Sequence, residues 1–212
     1  MLREYHVQIM QEALGETFSP RALEIIIAAN LRQDDFLIGQ VGHPEYHFDH
    51  NCFVESDAYI KEQREIILQT LKGDNEITLA WEAFGRLTHT AQDFYAHSNY
   101  VRMWLSKYSK DAPPLPEEIA ALDEELLNHP ELHSGKIYVL EVLSYLPFLR
   151  PLVMRLLPED SHAHMNLDYS AKGPSFPYAI EAAVKRTVHE YMFISRLIET
   201  NDLKLDTFTG KF

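Results

Sequence analysis

The sequence has one cysteine, Cys52, among its 212 residues. A single thiol excludes an intrachain disulfide, and such low cysteine usage is typical of a reducing compartment. The opening stretch, MLREYHVQIM, also lacks the basic region followed by a long apolar run that marks a secretory signal peptide. We therefore expect a cytoplasmic location.

Basic residues are scarce, and long apolar runs are missing. The chain carries 19 Lys and Arg against 32 Asp and Glu, which gives a formal net charge of -13. A surface this acidic repels the phosphate backbone, so the composition disfavours binding to duplex nucleic acid. No uninterrupted apolar run reaches the length of a membrane span. With 46 % hydrophobic and 24 % charged residues, the composition indicates an ordinary globular protein.

Helical periodicity dominates the chain, and no strand pair with a hairpin turn, internal repeat or low-complexity linker stands out. We predict an all-α, multi-helix bundle that forms a single domain over residues 1–212, with long irregular loops such as residues 33–51. Ser19 and Pro20 are typical of a helix N-cap followed by proline at the first helical position. The predicted helices cover residues 6–13, 55–72, 75–108, 116–127 and 178–200, with a further helix that starts at Pro20.

An apolar segment, residues 137–157, permits two interpretations. It is rich in Leu, Val and Phe and is interrupted by two prolines. One interpretation is peripheral contact with a lipid surface. We favour the other, a helix pair buried in the core.

The strongest chemical signal is HTAQDFYAH, which places His89, Asp93 and His97 four residues apart in succession. On a helix, such side chains project from one stripe. Imidazole nitrogen and carboxylate oxygen are ligand types that zinc accepts. The aromatic surroundings of this stripe argue against simple solvent exposure, so we interpret it as half of a metal site, with Asp93 placed to bridge two ions.

Further histidines and aspartates cluster in two other segments. His164 and Asp168 repeat the four-residue spacing, and His6 lies on the first predicted helix. Packing alone explains such concentrations poorly, whereas loops often carry functional groups. The loop HPEYHFDHN follows Asp34 and Asp35 and contributes His43, His47, Asp49 and His50; the segment SHAHMNLD contributes His162, His164, Asn166 and Asp168.

This order of motifs resembles the superfamily of zinc-dependent phospholipases C and single-strand-specific fungal nucleases. The stretch GRLTHTAQDFYAHSNYV is most similar to its heterokaryon-incompatibility C branch. The resemblance implies an all-helical fold of the phospholipase C/nuclease type with two or three zinc ions. By matching position, one ion is held by Asp35, His47, His89 and Asp93, a second by His97, His164 and Asp168, and part of a third by His6 and Asp93. His162 is an alternative to His164.

The resemblance further implies a phosphodiester hydrolase that uses a metal-activated water. Asp35 would orient or deprotonate that water, and the substrate would be a small phosphoester or a phospholipid head group. Aromatic residues are expected to wall the cleft, namely Tyr46, Phe48, Tyr95 and Tyr100. Two alternatives stay open: a non-catalytic, metal-stabilised interaction protein of the heterokaryon-incompatibility type, and a di-iron or di-manganese carboxylate bundle. The last requires two Glu-x-x-His pairs, which we do not find in the sequence.

Overall fold

The computed structural model describes residues 1–35, 39, 42–73, 76–146 and 148–211. Over these residues the chain forms helices and no strands, which confirms the predicted all-helical class. None of the described helices is both long enough and apolar enough to cross a membrane. The α-helices are α1 (Arg3–Leu14), α2 (Pro20–Arg32), α3 (Phe53–Lys72), α4 (Thr78–His97), α5 (Tyr100–Ser106), α6 (Glu124–Leu127), α7 (Arg150–Leu156), α8 (His162–Met165), α9 (Phe176–Thr200) and α10 (Leu205–Thr209).

Helix α4 lies at the centre of the fold, where it packs against α2, α3 and α9. From Ala83 to its C-terminus it is buried almost all round, as expected for a helix that has other elements packed on all of its sides. Helix α1 packs against α9 and α2. The polar residues of α4 are therefore enclosed within the bundle.

The helix boundaries follow local signals in the sequence. The Ser19 hydroxyl accepts a hydrogen bond from the Ala22 amide at 3.3 Å, and Pro20 occupies the first turn of α2, as predicted. Helix α3 ends at Lys72, directly before Gly73. These ends agree with the predicted start at Pro20 and stop at Gly73.

Other predicted helices are divided in the structure. The predicted helix over residues 75–108 is α4 followed by α5, because Ser98 adopts an extended conformation (φ -98°, ψ 168°); the predicted start at Asn75 lies outside the described residues. The predicted helix over 116–127 is a 3-10 turn, Pro116–Glu118, followed by the short α6.

Gly85 allows α4 to approach α2 closely. A Cβ atom at this position would lie 2.2 Å from the Ile26 carbonyl oxygen and 2.9 Å from the Asn30 amide nitrogen. We expect Gly85→Ala to lower the free energy of unfolding by about 1–3 kcal/mol, since the backbone clash outweighs the roughly 1 kcal/mol gain in helix propensity. Urea denaturation of both proteins checks this, and an unchanged or higher stability would contradict the close approach.

Candidate metal centre

The predicted stripe of α4 faces the interior. His89 and Asp93 are fully buried and His97 is 4 % exposed. The His89 Nε2 atom lies 3.1 Å from Asp93 Oδ2. The spacing of four residues therefore brings the imidazole and the carboxylate together on one face, as predicted from the helical geometry.

Buried amides outside the stripe orient two of the histidine rings. His6 Nδ1 lies 2.6 Å from Gln92 Oε1, and His89 Nδ1 lies 3.4 Å from Asn30 Oδ1. Asn30 also donates to Gln92, at 3.2 Å. Because an amide oxygen only accepts, each Nδ1 carries the proton and each Nε2 presents its lone pair. Such outer partners are the usual way in which metal-binding histidines are held in one tautomer.

These Nε2 atoms converge with two carboxylates in what we term the first group, formed by His6, Asp34, His89 and Asp93. One nitrogen or oxygen atom from each residue lies within 4.8 Å of the others. His6 Nε2 is 3.3 Å from Asp93 Oδ1, and His89 Nε2 is 3.7 Å from Asp34 Oδ1. Two ligands of a tetrahedral zinc ion, each about 2.0 Å from the metal, lie roughly 3.3 Å apart. The observed separations are close to that value.

The loop that carries His47 and Asp49 has an unusual backbone. Phe48, His50 and Asn51 have φ values of 57°, 56° and 60°, a left-handed conformation that side chains other than glycine seldom adopt. Phe48 is buried in the core, and the His47 and Asp49 on either side of it are also buried. The reversal at Phe48 therefore turns two polar neighbours towards the cluster. Such strained backbone is concentrated at functional sites.

The segment that contains Ser134 and Gly135 holds this loop in place. Asn51 and Ser134 exchange two hydrogen bonds, of 2.8 and 2.7 Å, and the Gly135 amide donates to the His97 carbonyl at 2.9 Å. Gly135 also passes close to α8, where an added Cβ would lie 2.7 Å from His162 Cα. This short segment joins the loop, the end of α4 and α8.

These elements form a second group, Asp49, His97 and His162, whose ligand atoms also lie within 4.8 Å of one another. His97 Nδ1 lies 2.9 Å from the His47 carbonyl oxygen, and His162 Nδ1 lies 3.1 Å from Glu141 Oε1. The two Nε2 atoms are 3.5 Å apart. The His162 ring thus repeats the outward Nδ1 and inward Nε2 arrangement of the first group, whereas His97 Nδ1 also lies 3.4 Å from Asp49 Oδ1, inside the second group.

Asp168 and His47 connect the two groups. Asp168 Oδ1 lies 3.1 Å from His97 Nε2, and His47 Nδ1 lies 2.8 Å from Asp93 Oδ2. The amine of Met1 lies 2.8 Å from Asp93 Oδ1 and 3.1 Å from Asp168 Oδ1. This amine supplies one positive charge to these two carboxylates, and among the described residues Asp34 and Asp49 form no ion pair with it.

The cluster changes the proton affinity of its members. Burial lowers the pKa of His89 to about 4, so its ring is neutral near pH 7. Burial also acts to lower the pKa of His162, but Asp49, Glu141 and Asp168 outweigh it and raise the pKa to about 9. Burial acts to raise the pKa of Asp93, but the Met1 amine, His97 and His89 hold it well below its usual range. Asp93 is therefore an anion in the folded protein.

A cavity of about 1030 Å³ opens beside the second group. Asp49, His97 and His162 line it, together with Asp168 and His47. Of the first group, only Asp34 is among the lining residues. The second group is thus accessible from the cavity, whereas His6, His89 and Asp93 are enclosed by protein.

Several predicted site residues lie elsewhere. Asp35 pairs with Arg3 at 3.0 Å on the surface, with its side chain 40 % exposed, and Asp34 occupies the cluster instead. His164 is exposed and bonded to the Met154 carbonyl at 2.8 Å, so that His162 takes the expected place. The position of Asp35 removes the basis for a role in orienting water.

The aromatic residues expected to wall a cleft also lie elsewhere. Phe48, Tyr95 and Tyr100 are buried in the core, because their rings pack against Phe94 at 5.0–5.4 Å between centroids. Tyr46 stacks on His43 and Tyr59, at 4.5 and 4.4 Å. The described lining of the cavity is instead largely polar and charged, with Tyr169 as its aromatic member.

Sequence reasoning did not assign Asp34 or Asp49 as ligands, and it gave His162 only as an alternative to His164. Each is adjacent to or two residues from a residue that it did select, so the segment was found but not the side chain. The position of Asp34 in the turn after α2 and the reversed backbone at Phe48 decide which neighbour faces inward. Neither feature has a signature in the residue types.

A family model described as the VWA7 N-terminal domain matches residues 4–112, about half of the chain. The chain belongs to this family. The von Willebrand factor A domain-containing protein 7 of Rattus norvegicus is 34 % identical over 93 residues, which cover 42 % of this chain. The aligned part spans 10 % of the length of that relative. No solved structure matches the chain.

Membership of the VWA7 N-terminal domain family corrects the predicted relationship to the phospholipase C and fungal nuclease superfamily, which was wrong. The predicted function, a zinc phosphodiester hydrolase, depended on that relationship and was also wrong. The alternative of a heterokaryon-incompatibility type interaction protein depended on the same resemblance and gains no support. Side chains four residues apart lie on one face of any helix. A histidine and an aspartate at this spacing therefore do not by themselves identify a family.

Proposed function

We propose that this domain binds divalent metal ions at two adjacent sites, one in the first group and one in the second. Five imidazole rings and four aspartate carboxylates meet in the interior of an all-helical protein. Burial of charges and polar atoms costs free energy unless these groups are paired, hydrogen-bonded or coordinate a metal. A bound cation offsets that cost.

One observation carries the proposal: three histidines, His6, His89 and His162, present Nε2 to the cluster while Nδ1 is held by a partner outside it. Among the described residues, eight buried side-chain nitrogen and oxygen atoms have no hydrogen-bond partner, and three of them are His6 Nε2, Asp34 Oδ2 and Asp49 Oδ1. Native proteins contain few such atoms, because a buried polar atom generally binds protein, water or an ion. All three atoms belong to the two groups, where a metal ion would satisfy them.

The two sites differ in access. The first group offers four protein ligands in an enclosed position, which is the arrangement of a structural zinc site. The second offers three ligands beside the cavity, which leaves a coordination position for water or a small ligand. We therefore assign a stabilising role to the first ion and an exchangeable one to the second.

Nitrogen and carboxylate ligands suit zinc and related transition metals better than calcium, which prefers oxygen alone. Two ions, rather than three, fit the two groups.

One continuous hydrophobic cluster includes residues from Met1 to Phe208, which supports a single domain over residues 1–212. The cytoplasmic location stays a prediction.

Two neighbouring aspartates provide a matched test. We expect Asp34→Asn to weaken zinc binding by at least about 10-fold, because a buried ligand is lost, whereas Asp35→Asn should leave it unchanged because Asp35 pairs with Arg3 on the surface. Isothermal titration with zinc, after removal of metal by chelation, measures both. Weakened binding in Asp35→Asn alone would show that the wrong aspartate has been assigned.

A further inference from the structure

Residues 137–146 and 148–157, which we term the apolar lobe, expose an unusual amount of apolar surface. Of the fourteen large hydrophobic residues exposed in the described chain, seven lie here. Val139 is 91 % exposed and Phe148 is 76 % exposed. The predicted burial of this segment as a helix pair is therefore wrong. Apolar side chains concentrated in one exposed element mark an interaction surface.

The apolar side chains of α7 divide between two sides of the helix. Leu152 and Leu156 are 58 % and 61 % exposed and lie one turn apart, so they share a face. Val153 and Leu157 are buried against the protein. Phe148, which precedes the start of α7 by two residues, is also exposed. Because α7 packs against the 3-10 helix Val139–Tyr145, this face and Val139 belong to one lobe.

The charge of the lobe is opposite to that of the whole chain. Arg150 and Arg155 are exposed, whereas Glu141, its one acidic residue, is buried and bonded to His162. Two acidic residues lie just beyond the lobe: Asp160 is paired with Lys136 at 2.9 Å, and Glu159 is exposed. A chain with a net charge of -13 thus presents an apolar, positively charged projection.

We propose that the apolar lobe docks on an anionic lipid surface. Exposed leucine and phenylalanine side chains with flanking arginines are the composition of interfacial elements, in which the apolar groups enter the acyl boundary and the arginines contact anionic head groups. A second copy of the chain is disfavoured as occupant, because two such lobes would bring Arg150 and Arg155 against their like-charged equivalents. Ile137, Arg150 and Met154 also line the cavity, so docking places its mouth near the head groups.

Co-sedimentation of the full chain with vesicles tests the proposal. We expect binding to vesicles of phosphatidylcholine and phosphatidylserine, with weaker binding to phosphatidylcholine alone. Phe148→Ser and Leu152→Ser should each reduce the partition coefficient by about 10-fold, because each removes a side chain that becomes buried in lipid. Arg155→Gln should reduce binding to the anionic vesicles by roughly 5-fold and leave binding to phosphatidylcholine unchanged.

Val54→Ser and Leu115→Ser are matched controls, since both residues are exposed, at 79 % and 66 %, and lie outside the lobe. Their partition should equal that of the unaltered chain. Circular dichroism melting checks that every variant is folded. Absence of binding to anionic vesicles would overturn the proposal, as would equal losses in the controls. A dimer in sedimentation velocity that Phe148→Ser converts to monomer would identify a second copy as the occupant and also overturn it.

Discussion

Replacing Asp93 with asparagine is expected to remove the larger part of the stabilisation of this domain by zinc, the part that comes from the first group. Asp93 contacts His6, His47 and His89 within 3.3 Å. One carboxylate therefore holds the first group together and also contacts His47, which lies between the two groups. Asparagine keeps the shape but loses the negative charge that a cation requires. Because binding energy is also folding energy, metal content and thermal stability should fall together.

The size of this effect follows from mass action. Zinc at about 100 times its dissociation constant adds roughly 2.7 kcal/mol to the free energy of unfolding. For a chain of this size, each kcal/mol raises the melting temperature by about 2–4 °C. We therefore expect zinc to raise the melting temperature of the unaltered chain by about 5–10 °C and to raise that of Asp93→Asn by less than half as much, since only the second group still binds. Comparing each protein with and without zinc removes any intrinsic destabilisation by the substitution.

His129→Ala is the control for this measurement. His129 Nδ1 accepts a hydrogen bond from the Glu131 amide at 3.2 Å in a surface turn, and neither group of ligands includes it. Its variant should respond to zinc as the unaltered chain does. An equal response from Asp93→Asn would show that Asp93 is not a ligand.

A second large effect is expected at Glu190, which is fully buried between two arginines. Its Oε2 atom accepts hydrogen bonds from Arg64 Nε at 3.0 Å, and Oε1 accepts one from Arg186 Nε at 2.8 Å. Glu190→Ala would leave the nearly buried Arg186 without its charge partner. Breaking a buried pair in this way costs about 3–5 kcal/mol. Urea denaturation at pH 7 measures the loss.

The same pair gives stability a defined pH dependence. Burial acts to raise the pKa of Glu190, but Arg186 and Arg64 outweigh it and lower the pKa below its ordinary value of 4.5. The stabilisation is therefore present above about pH 4.5 and is lost as pH falls through the lower folded-state pKa. Glu199→Ala, an exposed change on the same helix, should cost less than about 0.5 kcal/mol. A similar small loss at Glu190 would contradict the buried network.

The sequence was most informative where periodicity determines burial. The stripe of His89, Asp93 and His97 was predicted to lie on one face because helical geometry allows nothing else, and α4 places all three inside. A separate local signal, the Ser19 N-cap followed by Pro20, gave the start of α2. Sequence reasoning did not detect the break between α4 and α5, because Ser98 and Asn99 carry no strong signal for ending a helix.

Choices between neighbouring residues could not be predicted. Asp34 and Asp35 are the same residue type, and only the turn after α2 selects Asp34 for the interior. His162 rather than His164 faces the second group because residues 135 and 136 position the start of α8. The choice between the two interpretations of the apolar segment was wrong for a different reason: apolar composition predicts burial somewhere but does not specify whether protein or another surface provides it.

The metal proposal is tested most directly by anomalous diffraction at the zinc absorption edge, from crystals grown with zinc. We predict two peaks. One should lie about 2.0–2.2 Å from ligand atoms of His6, Asp34, His89 and Asp93, and the other at the same distance from those of Asp49, His97 and His162. Well-ordered crystals with both groups clearly resolved and no anomalous peak at either would contradict the account.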